Sequence, residues 1–174
     1  MASATGLIST LRLLYSNYGG WRGLFKSSYF YISVAIAALC WRLARDESWV
    51  DFAKVTLPVL AGFSVAAYAI FFAILDEKAR VALLAPEPTL GNKSPLLVLA
   101  SSISHAVVVQ VLGLICALVY SAKPFPVVEG LSDWAVRVDY VLSSIGLFIT
   151  AYALVLVVAS ILSIFRILEI RSRV

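Results

Sequence analysis

From Ser94 to Tyr120 the chain reads SPLLVLASSISHAVVVQVLGLICALVY, 27 residues with one titratable side chain of acid, base or histidine type, His105. A run this long and this apolar is enough to cross a bilayer, which takes about 20 residues as a helix. Inside hydrocarbon every backbone polar group must be paired within the segment, so a single run of this kind is read as an α-helix. Three further apolar runs share the chain, and only 14% of residues are charged against 61% hydrophobic, with mean hydropathy +0.94. A soluble domain carries about a quarter charged residues. The alternation over roughly 10-residue segments that marks a membrane barrel is missing. The expected fold class is therefore all-α: a polytopic membrane protein of four transmembrane helices, forming one domain with no separate soluble domain.

The expected spans cover about 23–43, 52–75, 95–120 and 140–168, preceded by an interfacial segment at 1–22. Within that segment Leu7, Leu11, Leu14 and Tyr15 fall near one helical face, with Ser9 and Arg12 away from it. This predicts a short amphipathic helix in the membrane plane, stopped by Gly19-Gly20, rather than a cleaved leader. The first span is flanked by Lys26 and Arg42 and by Tyr29, Phe30, Tyr31 and Trp41, the residues that settle at bilayer interfaces. In the second, Pro58 lies in the opening turns, Gly62 and Ala66 form a small-xxx-small pair, and the helix is expected to run on through DEKARVALL with Asp76 and Arg80 paired. The fourth is about 43 Å long at 1.5 Å per residue, so it should tilt or protrude.

Basic residues set the orientation. Arg12, Arg22, Lys26, Lys78, Arg80, Lys93, Arg166, Arg171 and Arg173 fall on one side, and Arg42, Arg45, Lys54, Lys123 and Arg137 on the other. The richer side is expected in the cytoplasm, which places both termini and the Asp76–Ser94 connection there.

The chemistry of the spans is sparse. No Asp or Glu lies within one, which argues against proton- or ion-coupled transport, where an ionisable group near the midplane does the work. No phosphate loop, nucleophile elbow or metal-ligand spacing is present, and Cys40 and Cys116 read as small buried hydrophobes. The chain is thus expected to be no enzyme, to hold no cofactor or metal, and to bind no nucleic acid directly. What remains is a candidate polar intramembrane site on the third span: Ser101, Ser104, His105 and Gln110. His105 serves either as a proton switch or as a neutral partner across a helix interface. Gln110 lies about 140° around the helix from it, so one of the two is expected to face a second subunit.

The second candidate is the connection after the second span, where Asp76, Glu77 and Arg80 flank Leu83 and Leu84. Apolar side chains within a charged rim suit a partner-docking surface. Small residues Gly62, Gly146 and Thr150 add to an expectation of self-association.

Two stretches, LPVLAGFSVAAYAIFFAILDEKAR (Leu57 to Arg80) and SHAVVVQVLGLICALVY (Ser104 to Tyr120), together with the four-span layout, resemble the KwaA family, the membrane component of the bacterial Kiwa anti-phage defence system. The resemblance implies a sensor or scaffold in the bacterial inner membrane that forms a homo-oligomer and recruits a soluble cytosolic effector of the KwaB kind. It carries over no functional residue. The alternative from a different class is an oligomeric pore or ion channel lined by the polar residues of the third span.

Overall fold

A computed structural model describes residues 4–18, 20–123 and 132–172. The described residues form eight α-helices and one 3-10 turn: α1 (Ala4–Tyr18), α2 (Gly20–Lys26), α3 (Ser28–Leu39), α4 (Trp41–Arg45), α5 (Trp49–Ile74), α6 (Glu77–Leu84), the turn Pro88–Leu90, α7 (Pro95–Ser121) and α8 (Ser132–Ser172). The all-helical reading holds. Three helices, at Trp49–Ala73, Pro95–Ser121 and Trp134–Arg166, are long and apolar enough to cross a membrane. Their outer faces are apolar too: on α5 Val55, Val59 and Ile70 are 72%, 68% and 63% exposed. In water such surface would drive association; against lipid it is at home.

The first expected span differs. Instead of one helix over 23–43 the chain forms α2, α3 and α4, and α3 has 12 residues, about 18 Å at 1.5 Å per residue. The break at Cys40 is a single turn residue (φ −95°, ψ 19°). The Cys40 amide still donates to the Ile36 carbonyl at 2.9 Å, and Leu43 to Cys40 at 2.9 Å, so the helical path bends there with its backbone groups paired.

A second correction concerns the exit of α5. The expected continuous helix stops at Ile74, and Asp76 takes an extended conformation (φ −68°, ψ 164°) as the N-cap of a new helix. Its carboxylate accepts from the Ala79 amide at 2.7 Å rather than pairing with Arg80. An Asp at this position satisfies an otherwise orphaned helix amide and favours the new start over continuation. At its other end α5 begins at Trp49, earlier than expected, which places Pro58 in the interior of the helix.

The chain divides into two compact units. The first comprises residues 1–27, 63–107 and 157–174, and the second residues 28–62 and 108–156. In the first unit Phe71, Leu75, Ala79, Leu83, Leu96, Leu99 and Ile103 form one buried apolar cluster, with Tyr68, Phe72 and Ile164 against it.

In the second unit Trp49 is 1% exposed. Its indole Nε1 donates to Ser143 Oγ at 2.8 Å, and Ser143 Oγ donates to the Ala44 carbonyl at 2.6 Å. Gly146 lies under the ring: a Cβ there would collide with three of the Trp49 ring carbons. Phe30 packs edge-on against Phe148 at 5.4 Å, and Phe148 stacks with Tyr152 at 6.1 Å.

Candidate functional site

The connection between α5 and α7 is an ordered knob within the first unit. Asp76 caps α6 at one end. At the other, Ser94 Oγ donates to the Leu83 carbonyl at 2.9 Å and caps α7 by accepting from the Leu97 amide at 3.3 Å. Between them the Glu87 amide donates to the Lys93 carbonyl at 3.2 Å, closing a short turn in which Gly91 takes a left-handed φ of +66°. Lys93 Nζ donates to the Ser16 carbonyl at 3.0 Å, tying the turn to the end of α1. A loop held at this many points presents fixed side chains rather than a floating chain.

Those side chains sort cleanly. Leu83 is 5% exposed and belongs to the apolar cluster, so its expected place on a docking surface is corrected: it is the anchor of α6, not its outer face. Ala79, four residues earlier, is buried on the same face. Val81 and Leu84 are exposed, at 61% and 47%, and Asp76, Glu77, Lys78 and Arg80 are exposed around them. The outward face thus pairs two apolar residues with charges of both signs. The spacing that shows this is the helical period of α6. A contiguous count of leucines conceals it.

The polar residues of α7 divide between the units. Ser101, Ser104 and His105 lie in the first, and Gln110 in the second. His105 and Gln110 are both fully buried, Ser101 nearly so, and Ser104 half-buried. The Tyr15 ring of α1 meets the His105 ring edge-on at 5.6 Å and 77°. The expectation that His105 and Gln110 point to different surfaces, one of them toward a second subunit, is therefore corrected: neither presents surface. A face 140° away on a helix points outward only when nothing packs there, and α7 is covered at both positions. A crevice in the first unit between Ser64 of α5 and Ser160 of α8 has room for about 20 Å³ and is lined otherwise by apolar residues such as Phe63, Ile103 and Ile161. None of the four polar α7 residues lines it.

The small residues expected at an interface between copies largely fall inside. Gly146 is covered by Trp49, and Thr150 is buried with its hydroxyl donating back to the Gly146 carbonyl at 2.9 Å. Of the three, Gly62 faces open space. Both cysteines are free and half-buried. Among the described residues no group of three His, Cys, Asp or Glu side chains is placed to hold a metal ion.

Sequence reasoning missed the Trp49–Ser143–Ala44 chain. Trp49 reads as an interfacial anchor, and Ser143 is one serine among many. The pairing of a serine and a glycine three residues apart on α8 (Ser143, Gly146) is the available signal, since it leaves a flat polar-edged slot for a large ring.

No family model, no curated protein and no solved structure matches this chain.

Proposed function

We propose that the chain is a membrane-embedded scaffold or sensor subunit that docks a soluble cytosolic effector through the outward face of α6. The observation that carries this reading is the α6 knob itself: Val81 and Leu84 exposed on a helix whose opposite face is anchored by Ala79 and Leu83 and whose ends are both capped. A connector with no partner has no reason to hold two branched apolar side chains in water between fixed charges. The resemblance to KwaA gives this partner a class, a cytosolic effector of bacterial anti-phage defence, and gives the chain a place, the bacterial inner membrane as a homo-oligomer. The channel reading draws no comparable support, because His105 and Gln110 are packed inside the chain.

In this reading the bent path α3–α4, Ser28 to Arg45, supplies a fourth crossing beside the three long helices. Its paired backbone at Cys40 is what hydrocarbon requires. Four crossings return the C-terminus to the side of the N-terminus, and the positive-inside rule puts both, with α6, in the cytoplasm.

Two experiments test the proposal. Substituting Val81→Asp together with Leu84→Asp leaves membrane insertion and oligomer mass unchanged and abolishes co-purification of the soluble effector; retained co-purification removes α6 as the docking face. Cysteines introduced at Leu90 and Ser9 are both shielded from an impermeant thiol reagent in intact cells and labelled after permeabilisation. Labelling of either in intact cells overturns the topology.

A further inference from the structure

The second unit carries an open cleft of about 360 Å³ between α4 and the first turns of α8, lined by Trp41, Ala44, Arg45, Val136, Asp139 and Tyr140. The two helices set its shape. Trp41 and Arg45 are four apart on α4 and share a face, as do Val136, Asp139 and Tyr140 on α8. Ser143 Oγ, bonded to the Ala44 carbonyl at 2.6 Å, clamps α4 to α8 at the floor.

Arg45 and Asp139 both line this cleft, and among the described residues no ion pair joins the two. Asp139 spends one oxygen, Oδ2, on the Tyr120 hydroxyl, which donates to it at 2.9 Å. A carboxylate has acceptor capacity for several donors, so Oδ1 stays available. Two opposite charges that line one cleft are complementary to a ligand that carries both. The guanidinium fork of Arg45 matches a phosphate, where two parallel N–H···O bonds form. The second oxygen of Asp139 matches an ammonium, and exposed rings at Trp41 and Tyr140 supply faces that attract a cation.

The level of the cleft in the membrane identifies the source of such a ligand. Tyr120, which reaches Asp139, is at the end of α7, a helix long enough to span. Trp and Tyr collect at the headgroup level, and neither Arg45 nor Asp139 is tolerated at the bilayer midplane. The volume is at the small end for a ligand pocket, too small for a whole lipid and adequate for a headgroup whose acyl chains leave along exposed Leu43, Val136 and Val141.

We propose that this cleft binds the phosphoethanolamine headgroup of a bilayer lipid, phosphate on Arg45 and primary ammonium on Asp139. The primary amine matters because it donates hydrogen bonds that a choline cannot, and its charge distinguishes it from phosphatidylglycerol.

The test is native mass spectrometry of the full chain released from nanodiscs holding equal parts phosphatidylethanolamine, phosphatidylcholine and phosphatidylglycerol. The expected result is retention of phosphatidylethanolamine over either competitor by about two- to fivefold, the scale of a single exposed charge pair. Asp139→Asn, which keeps an acceptor for Tyr120, abolishes the preference over phosphatidylglycerol. Arg45→Gln lowers retention of all three lipids at the cleft, and Arg45→Lys restores most of it. Glu47→Gln, which removes a carboxylate that sits 3.5 Å from Lys123 in the same unit, leaves the preference intact. Equal retention of the three lipids by the unmodified protein overturns the proposal. So does a preference that survives Asp139→Asn, or one that Glu47→Gln removes as readily. Displacement of the lipid by soluble phosphoethanolamine at millimolar concentration overturns the assignment to a lipid source.

Discussion

The two units are held by different kinds of contact. The first buries an apolar cluster, from Phe71 to Ile103, and caps the α6 knob at both ends. The second carries directed bonds between its helices and loops: Trp49 to Ser143, Ser143 to the Ala44 carbonyl, Lys54 to Ser121 at 2.8 Å, Tyr120 to Asp139, and Lys123 to Glu47 at 3.5 Å. In a membrane, burial of apolar groups against each other gains little over burial in lipid, so shape and hydrogen bonds decide helix association. The second unit has the means to fix one arrangement of its helices. The first unit instead anchors a capped helix that carries exposed apolar and charged side chains outward. The difference separates a part that buries a tryptophan in directed bonds from a part that exposes apolar and charged side chains on α6.

That contrast is open to mutation, with the largest effects expected where packing and direction coincide. Trp49→Ala removes both the ring over Gly146 and the bond to Ser143. A loss of about 3–5 kcal/mol is expected in reversible unfolding in mild detergent. Gly146→Ala forces a methyl against the same ring and is expected to cost about 1–3 kcal/mol, since the buried ring would have to shift. A Gly146→Ala variant as stable as the original would mean that Trp49 does not sit over the glycine.

The first unit gives the complementary series. Leu83→Asp buries a carboxylate in the apolar cluster and is expected to unfold the α6 knob, read as proteolytic cleavage between 77 and 94, while the second unit keeps its near-ultraviolet tryptophan signal. Leu84→Asp, one residue on, changes an exposed side chain and is expected to shift stability by less than about 0.5 kcal/mol. Similar behaviour of the two variants would erase the inside–outside distinction on α6. The smallest effect is at Lys54: Lys54→Met loses the Ser121 bond and the 3.4 Å pair with Asp51, both exposed, for a change within about 1 kcal/mol.

Much of this architecture is legible in the sequence. Length and apolarity locate α5, α7 and α8, because hydrocarbon admits a helix or a closed barrel and the alternation of barrel strands is missing, though α8 starts at Ser132, ahead of the expected 140. The breaks are harder. Cys40 carries no helix-breaking chemistry, so the bend between α3 and α4 has no local sequence cue. Asp76 is such a cue, an N-cap residue before Glu77 and Ala79, but it also fits a salt bridge to Arg80, and only the backbone turn decides between them. For the candidate sites, period serves better than composition. The α6 period separates Leu83 from Leu84. On α7 the same period puts His105 and Gln110 on different faces but cannot tell that both faces are covered.

The most direct test of the outward role of α6 is site-specific photo-crosslinking in the native host, with a photoreactive residue at position 81, 83 or 84 in turn. Positions 81 and 84 are predicted to give one adduct with the same soluble cytosolic protein, and position 83 to give only crosslinks within the chain. Adducts at 81 and 84 to lipid alone, or the same protein adduct at all three positions, would contradict the account.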